Sequence, residues 1–165
     1  MKDLIVCDTG PLISLEKLAN GYSFISQMYE KLVIPEEVLD EVTYGYSNSS
    51  VYIKHFAIEN LLDIRSISAT EELPLQFRLH EGEIAAIHLA KSLGLPLLIE
   101  ETLGRKIASE LGIAISGIGG QIVKGHRNGL ISEAEAIGML EEMLENKRIN
   151  EKIFLGLIGR VKRSA

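Results

Sequence analysis

Short apolar runs recur along the chain and alternate with longer segments in which apolar positions return every three to four residues. The runs lie near 4–7, 32–34, 62–67, 96–99 and 113–116. They have the length and near-continuous hydrophobicity of strands buried on both faces, and the segments between them have helical periodicity. The alternation predicts an α/β sandwich of the doubly wound kind, a parallel sheet of about five strands with helices on both faces.

The breakers agree with that reading. Gly10-Pro11 ends the first run and opens a helix, since proline is tolerated in a helix's first turn, where its fixed φ suits the geometry. Pro35 repeats the device, with Glu36 and Glu37 in the first turn of a helix that carries Glu41 near its end. Gly45 to Ser50 has no periodicity and reads as a loop before a helix at about 51–60. Residues 80–93 place Ile84, Ile87 and Leu89 among small Ala85, Ala86 and Ala90, which predicts a helix packed closely on the sheet and stopped by Gly94. Ser132 and Glu135 have capping-box spacing and open a helix to about Asn146, with Ile137, Leu140, Met143 and Leu144 on one stripe. A last amphipathic helix is predicted at 150–163.

At 165 residues and 46% hydrophobic content, the chain suits one core, and a single domain over 1–165 with C-terminal helices at about 132–163 is expected. The pattern contains neither a membrane span nor a secretory signal, which predicts a cytoplasmic protein. The lone cysteine, Cys7, sits inside the first apolar run and reads as a buried small hydrophobe. A net charge of −6 argues against a general nucleic-acid coat, but it averages two unlike parts: residues 1–100 are net −8 and residues 101–165 net +2. The late cations, among them Arg105-Lys106, Lys124, Arg127 and Lys147-Arg148, are placed either to touch phosphates or to form a solvated face.

Familiar cofactor and nucleophile motifs fail on inspection. Gly117-Ile118-Gly119-Gly120 has Ile122 where a dinucleotide fingerprint needs its last glycine, and Gly120 to Gly125 is followed by His126-Arg127 in place of the lysine and hydroxyl of a phosphate loop. The four histidines have no metal-ligand spacing, and Ile84 stands where a His80-Glu81 zinc helix would need its second histidine. What survives is a set of acids. Asp8 follows the first buried run, Glu41 and Glu83 lie in helices, and Glu100-Glu101 follows Leu97-Leu98-Ile99. In open parallel sheets, ligands bind beyond the carboxyl ends of the strands, and acids gathered there repel one another unless a cation sits among them. An uncompensated charge at Asp8 would be costly, so its carboxylate is solvated, caps a helix or binds a cation. Glu81 and Glu83 cannot share a face, and Glu83 is the better placed. Glu100 and Glu101 point opposite ways if the strand stays extended, so one is the ligand candidate and the other a surface or helix-start residue.

Taken in order, Asp8-Thr9-Gly10-Pro11-Leu12-Ile13, Val33-Ile34-Pro35 with Val38 and Glu41, Gly82-Glu83 with Ala85, Ala86 and Ala90, Leu98-Ile99-Glu100-Glu101 with Gly104-Arg105 and Ala108, and Leu111-Gly112 leading to Gly117 and Gly120 resemble the PIN-domain nucleases. The likeness spans about residues 3–130, and is strongest to the VapC-like toxin branch whose third acid sits in a Gly-Glu pair. It implies a Rossmann-like three-layer fold, a Mg²⁺ or Mn²⁺ site and hydrolysis of RNA. Carried over by position, Asp8, Glu83 and Glu100 or Glu101 become metal ligands, and Glu41 joins them in the catalytic set. Thr9 and Ser116 become candidates for hydrogen bonds to phosphate or to water near the ion, and Arg105, Lys106, Lys124 and Arg127 for contacts to the RNA backbone. A small antitoxin covering the cleft and a homodimer are the implied partners. The Glu100-Glu101 pair departs from the aspartate-led pair of those relatives, and a glutamate reaches about 1.5 Å farther. That keeps an alternative open, a catalytically weakened or inactive PIN-like module that binds RNA or protein.

Overall fold

The computed structural model describes residues 2–68 and 71–164. Within them, β1 (Asp3–Cys7), β2 (Tyr29–Pro35), β3 (Leu62–Arg65), β4 (Leu97–Leu98) and β5 (Ile115–Ser116) form one sheet in the order β3-β2-β1-β4-β5. Every neighbouring pair is parallel. The expected α/β sandwich is the observed one. β1 lies at the centre, and Ile5, Val6 and Cys7 are buried, as strands covered on both faces require.

The order of strands decides where a site can form. From β1 the chain steps outward through β2 to β3, then crosses back over β1 to lay down β4 and β5 on the other side. The direction of winding therefore reverses between β1 and β4, and adjacent connections leave the sheet on opposite faces there, opening a crevice at the strands' carboxyl ends. Backbone pairing continues past the short strands, with Asp8 N–H donating to Leu98 O at 3.0 Å and Ile99 N–H to Ser116 O at 2.9 Å. That continuation brings the residue after β1 beside the residues after β4.

The helices are α1 (Thr9–Lys17), α2 (Gly21–Met28), α3 (Glu36–Val42), α4 (Ser49–Phe56), α5 (Glu81–Leu93), α6 (Thr102–Glu110), α7 (Ile118–Arg127), α8 (Glu133–Glu145) and α9 (Glu151–Arg163), with a 3₁₀ turn at Gln76–Arg78. α5 packs on β1, β2 and α3. Buried Ala86 and Ala90 let its backbone come close, and Gly94 ends it in the left-handed conformation at φ 65°. α7, α8 and α9 pack on one another, with Leu140, Met143, Leu157 and Val161 in the core. The Ser132 and Glu135 capping box forms at the start of α8. No helix among the described residues is long and apolar enough to cross a membrane.

The differences from the pattern have local causes. β2 begins at Tyr29, ahead of its most apolar part, because Asp3 and Leu4 pair with Tyr29 and Lys31. The helix expected at 51–60 runs from Ser49 to Phe56. Asn48 Oδ1 accepts from Val51 N–H at its start, and Ala57, at φ 54°, closes it early. α2 has no counterpart in the expected elements: its buried Tyr22, Phe24 and Ile25 follow Asn20-Gly21, a pair that reads as a turn. Gly21 is required there by contact, because a Cβ would lie 2.0 Å from the Leu15 carbonyl oxygen.

Gly21→Ala is accordingly expected to cost about 2 kcal/mol or more, since both clashing groups are backbone and neither can swing away. Gly138→Ala, in α8 with nothing within 4 Å of the new methyl, is expected to stabilise by roughly 0.5–1 kcal/mol through helix propensity. Urea unfolding of both variants checks the pair; equal effects would contradict the packing described.

Candidate metal centre and basic groove

Asp8 stands at the N-cap position of α1 yet makes no side-chain capping bond. It is 3% exposed, and its Oδ1 is buried with no hydrogen-bond partner among the described residues. Of the roles open to it in the sequence, capping and solvation are therefore both absent. Its pKa is pushed up from 3.8 to about 7, first by burial, against a lowering by the Thr9 backbone N–H that is the next largest effect, with the charges of Glu83, Glu41 and Glu100 each adding less. The charges of acids from three other segments therefore reach Asp8 near the β1 and β4 ends.

Glu83 enters from the first turn of α5. It is 5% exposed, whereas Glu81 is exposed to solvent. Its Oε1 accepts the His80 backbone N–H at 3.2 Å, while Oε2 is buried without a partner among the described residues. Burial raises its pKa first, and the adjacent Glu101 carboxylate raises it further. Glu101 is the N-cap of α6 and accepts the Gly104 N–H at 2.6 Å. Its slight burial pushes its pKa up, but the Gly104 and Leu103 N–H groups and the adjacent Glu83 carboxyl outweigh that and hold it low. Gly104 makes the approach possible: a Cβ there would lie 3.0 Å from Glu83 Oε2 and 3.4 Å from Glu101 Oε2.

Glu41 has both oxygens in use. Oε2 accepts the Thr9 hydroxyl at 2.5 Å and Oε1 the Gly82 N–H at 2.8 Å, so α3 clasps the starts of α1 and α5 together. Thr9 thus faces Glu41. Glu100 points the other way, with Oε1 accepting Ser14 Oγ at 2.7 Å, Oε2 accepting Ile118 N–H at 3.1 Å, and Arg148 Nη2 at 3.5 Å.

Beside the acids runs a groove of about 960 Å³ along the β5 edge, lined by Glu100, Arg105, Ser116, Gly117, Lys124, Arg127, Arg148 and Arg160 among others. Arg105 Nη1 donates to Ile99 O at 2.7 Å, Lys124 leans over the Tyr29 ring, Arg127 Nε donates to Ser164 Oγ, and Ser116 Oγ donates to the Gly117 carbonyl. Lys106 is exposed and lies outside the groove lining.

Residue order alone does not single out Ser14, offers His80 only as a failed zinc ligand, and leaves Arg148 as either a phosphate contact or a solvated charge. Ser14 carried a signal, a hydroxyl on the buried face of α1 between Leu12 and Leu15. Arg148 in a Lys-Arg pair carried none that separates an internal ion pair from a surface charge.

Can the donors present hold a divalent ion? Two buried carboxylate oxygens from different elements lack any donor, and a third carboxylate adjoins one of them. Such hard oxygen donors suit Mg²⁺ or Mn²⁺. The oxygens are gathered without being closed into a shell, for among the described residues no three His, Cys, Asp or Glu groups have the spacing of a formed ion site. An all-oxygen site completed by water has that character, since Mg²⁺ keeps several of its waters.

A family model described as "DUF3368: PIN domain" matches residues 4–163. The chain belongs to the PIN domain family. The family carries a fold of the nuclease type, and its members typically use divalent metal ions. No curated protein matches this PIN domain. A solved structure, a PilT N-terminus domain protein SSO1118 from the archaeon Sulfolobus solfataricus P2, matches at 20% identity with a TM-score of 0.45, covering 70% of this chain and 87% of that one.

Burial of Asp8 sets a pH dependence with a definite sign. Its proton is held more tightly folded than unfolded, so its contribution is complete below about pH 4 and is lost as pH rises toward 7. Glu83 acts in the same direction. In chelator, the stability of wild type relative to Asp8→Asn is expected to fall by roughly 4 kcal/mol at most between pH 4 and 8. Urea unfolding across that range tests it; parallel curves would mean that Asp8 titrates as an ordinary carboxyl.

Proposed function

We propose that this PIN domain is a divalent-metal-dependent ribonuclease, hydrolysing RNA phosphodiester bonds with water as the nucleophile. The observation that carries the reading is the pair of buried, unpartnered oxygens of Asp8 and Glu83, with the neighbouring Glu100 lining a groove that Arg105, Lys124, Arg127, Arg148 and Arg160 make basic. Asp8, Glu83 and an acid of the Glu100-Glu101 pair would hold Mg²⁺ or Mn²⁺. When bound, such an ion supplies positive charge that acidifies water and polarises a phosphate.

The chain's own residues supply the rest. Glu41 fixes the relative positions of α1 and α5, and so of Asp8 and Glu83, by its bonds to Thr9 and Gly82. Arg105, Lys124 and Arg127 line a path along which successive phosphates can lie, with Ser116 at its end near Glu100 and Lys106 as an outer contact. Aromatic residues make up only 5% of the chain, so base stacking contributes little and the backbone dominates binding. The sequence likeness to VapC-like toxins supports a toxin held in check by a small antitoxin over the cleft, in a chain that pairs with itself and works in the cytoplasm. The second reading, a non-catalytic module binding RNA or protein, is favoured by the absence of a closed ligand shell among the described residues.

Thermal melts in Mn²⁺ and in chelator separate the two. At Mn²⁺ one hundred times its Kd, wild type is expected to gain about 2.7 kcal/mol, or roughly 5–10 °C for a chain of this size. Asp8→Asn is expected to lose that gain, to melt above wild type in chelator at pH 7.5, and to lose cleavage of a pooled RNA substrate. Cleavage surviving in Asp8→Asn combined with Glu83→Gln would place the activity elsewhere, and a wild type indifferent to Mn²⁺ would select the binding module.

A further inference from the structure

Glu100 is the acid most fully satisfied by protein groups. It accepts from the Ser14 hydroxyl and the Ile118 N–H and is paired with Arg148. Arg148 is itself fixed, with Nε donating to Ser14 Oγ at 2.9 Å and Nη2 to the Gly10 carbonyl at 3.0 Å. Its position is set by how α8 ends. Lys147 adopts φ 59°, its N–H donates to Leu144 O, and the Arg148 N–H donates to Met143 O. This left-handed reversal turns the chain so that Arg148 reaches α1 and the end of β4 from the far end of the sequence.

The charge of the cleft is thereby divided. A guanidinium never releases its proton, and Glu100 and Arg148 side chains are only 18% and 24% exposed, so the pair is shielded from solvent screening. To bind an ion, Glu100 would have to surrender a cation, a hydroxyl and a backbone N–H. Asp8 Oδ1 and Glu83 Oε2 would surrender nothing. Glu101, its side chain holding the Gly104 N–H, already adjoins Glu83.

We propose that Arg148 is a positioning residue that holds Glu100 out of the metal cleft, so that the cleft takes one divalent ion on Asp8, Glu83 and Glu101. This rests on the metal-binding reading above and decides which of the paired acids serves it. Arg148 then stands as the second fixed positive charge at the head of the groove, where Glu100 would otherwise help to hold a second ion.

Calorimetric titration of the full chain with Mn²⁺, paired with the electron paramagnetic resonance signal of free Mn²⁺, reads ion number and affinity without any turnover. Wild type is expected to bind one ion. Glu101→Gln is expected to weaken it by about tenfold or more, and Glu100→Gln by no more than about threefold. Arg148→Met frees Glu100 and is expected to add a second ion or tighten the first by about tenfold, a gain that Glu100→Gln in the same chain removes. Arg148→Lys, which keeps the charge, is expected to stay at one ion. A purely structural Arg148 would lower the melting temperature of Arg148→Met and leave ion number and affinity unchanged, which overturns the proposal. So do two ions in wild type, or Glu100→Gln weakening binding more than Glu101→Gln; that order decides the matter even if Arg148→Met does not fold. No ion in wild type overturns the metal reading along with it, an outcome distinct from ions that bind but ignore Arg148.

Discussion

Two carboxylate oxygens held away from water without a donor, Asp8 Oδ1 and Glu83 Oε2, are the constraint around which the rest of the molecule is arranged. Burying such groups is unfavourable, and the sheet must impose it. It does so because the winding reverses between β1 and β4, leaving a crevice at their carboxyl ends, and because pairing from Asp8 to Leu98 fixes the backbone there. Asp8 cannot retreat to solvent without breaking the central ladder. Glu83 cannot do so without unwinding the first turn of α5, which Glu41 ties to α1.

Around that pair the remaining charges fall into separate duties. Glu41 is structural in its bonds, spanning two helix starts. Glu100 is balanced within the protein by Arg148, Ser14 and the start of α7, while Glu101 adjoins Glu83. The cations of the second half of the chain line the groove on the β5 side. A net negative protein therefore presents a locally positive path beside a negative hollow, the field that the proposed nuclease reading calls for.

Much of this was legible from residue order alone, for identifiable reasons. A buried parallel strand needs a continuous apolar run, so Leu4 to Cys7 and Leu97 to Ile99 announced themselves, and the acid after each had to lie at the strand's end. Glu83 could be preferred to Glu81 because helix geometry puts them on different faces. The surroundings of Glu100 could not be read, because its partner Arg148 lies more than forty residues later and arrives through a left-handed Lys147. α2 escaped for a similar reason. Gly21 reads as a turn, and only its contact with the Leu15 carbonyl shows that the glycine is there to let two helices touch. Propensity speaks of neighbours in sequence; these features belong to neighbours in space.

The strand order also bears on how the protein comes into being. Residues 8, 41 and 83 are all synthesised before β4, yet β1 has no partner on that side until Leu97 and Leu98 arrive, and β4 in turn pairs with β5 near residue 115. Such long-range parallel pairing forms slowly, because the intervening chain must first be ordered. On the ribosome, then, Asp8, Glu41 and Glu83 wait for β4 to emerge before the side of β1 that it covers can form. The hollow closes only after that, and Arg148 is locked in place later than any of its acids.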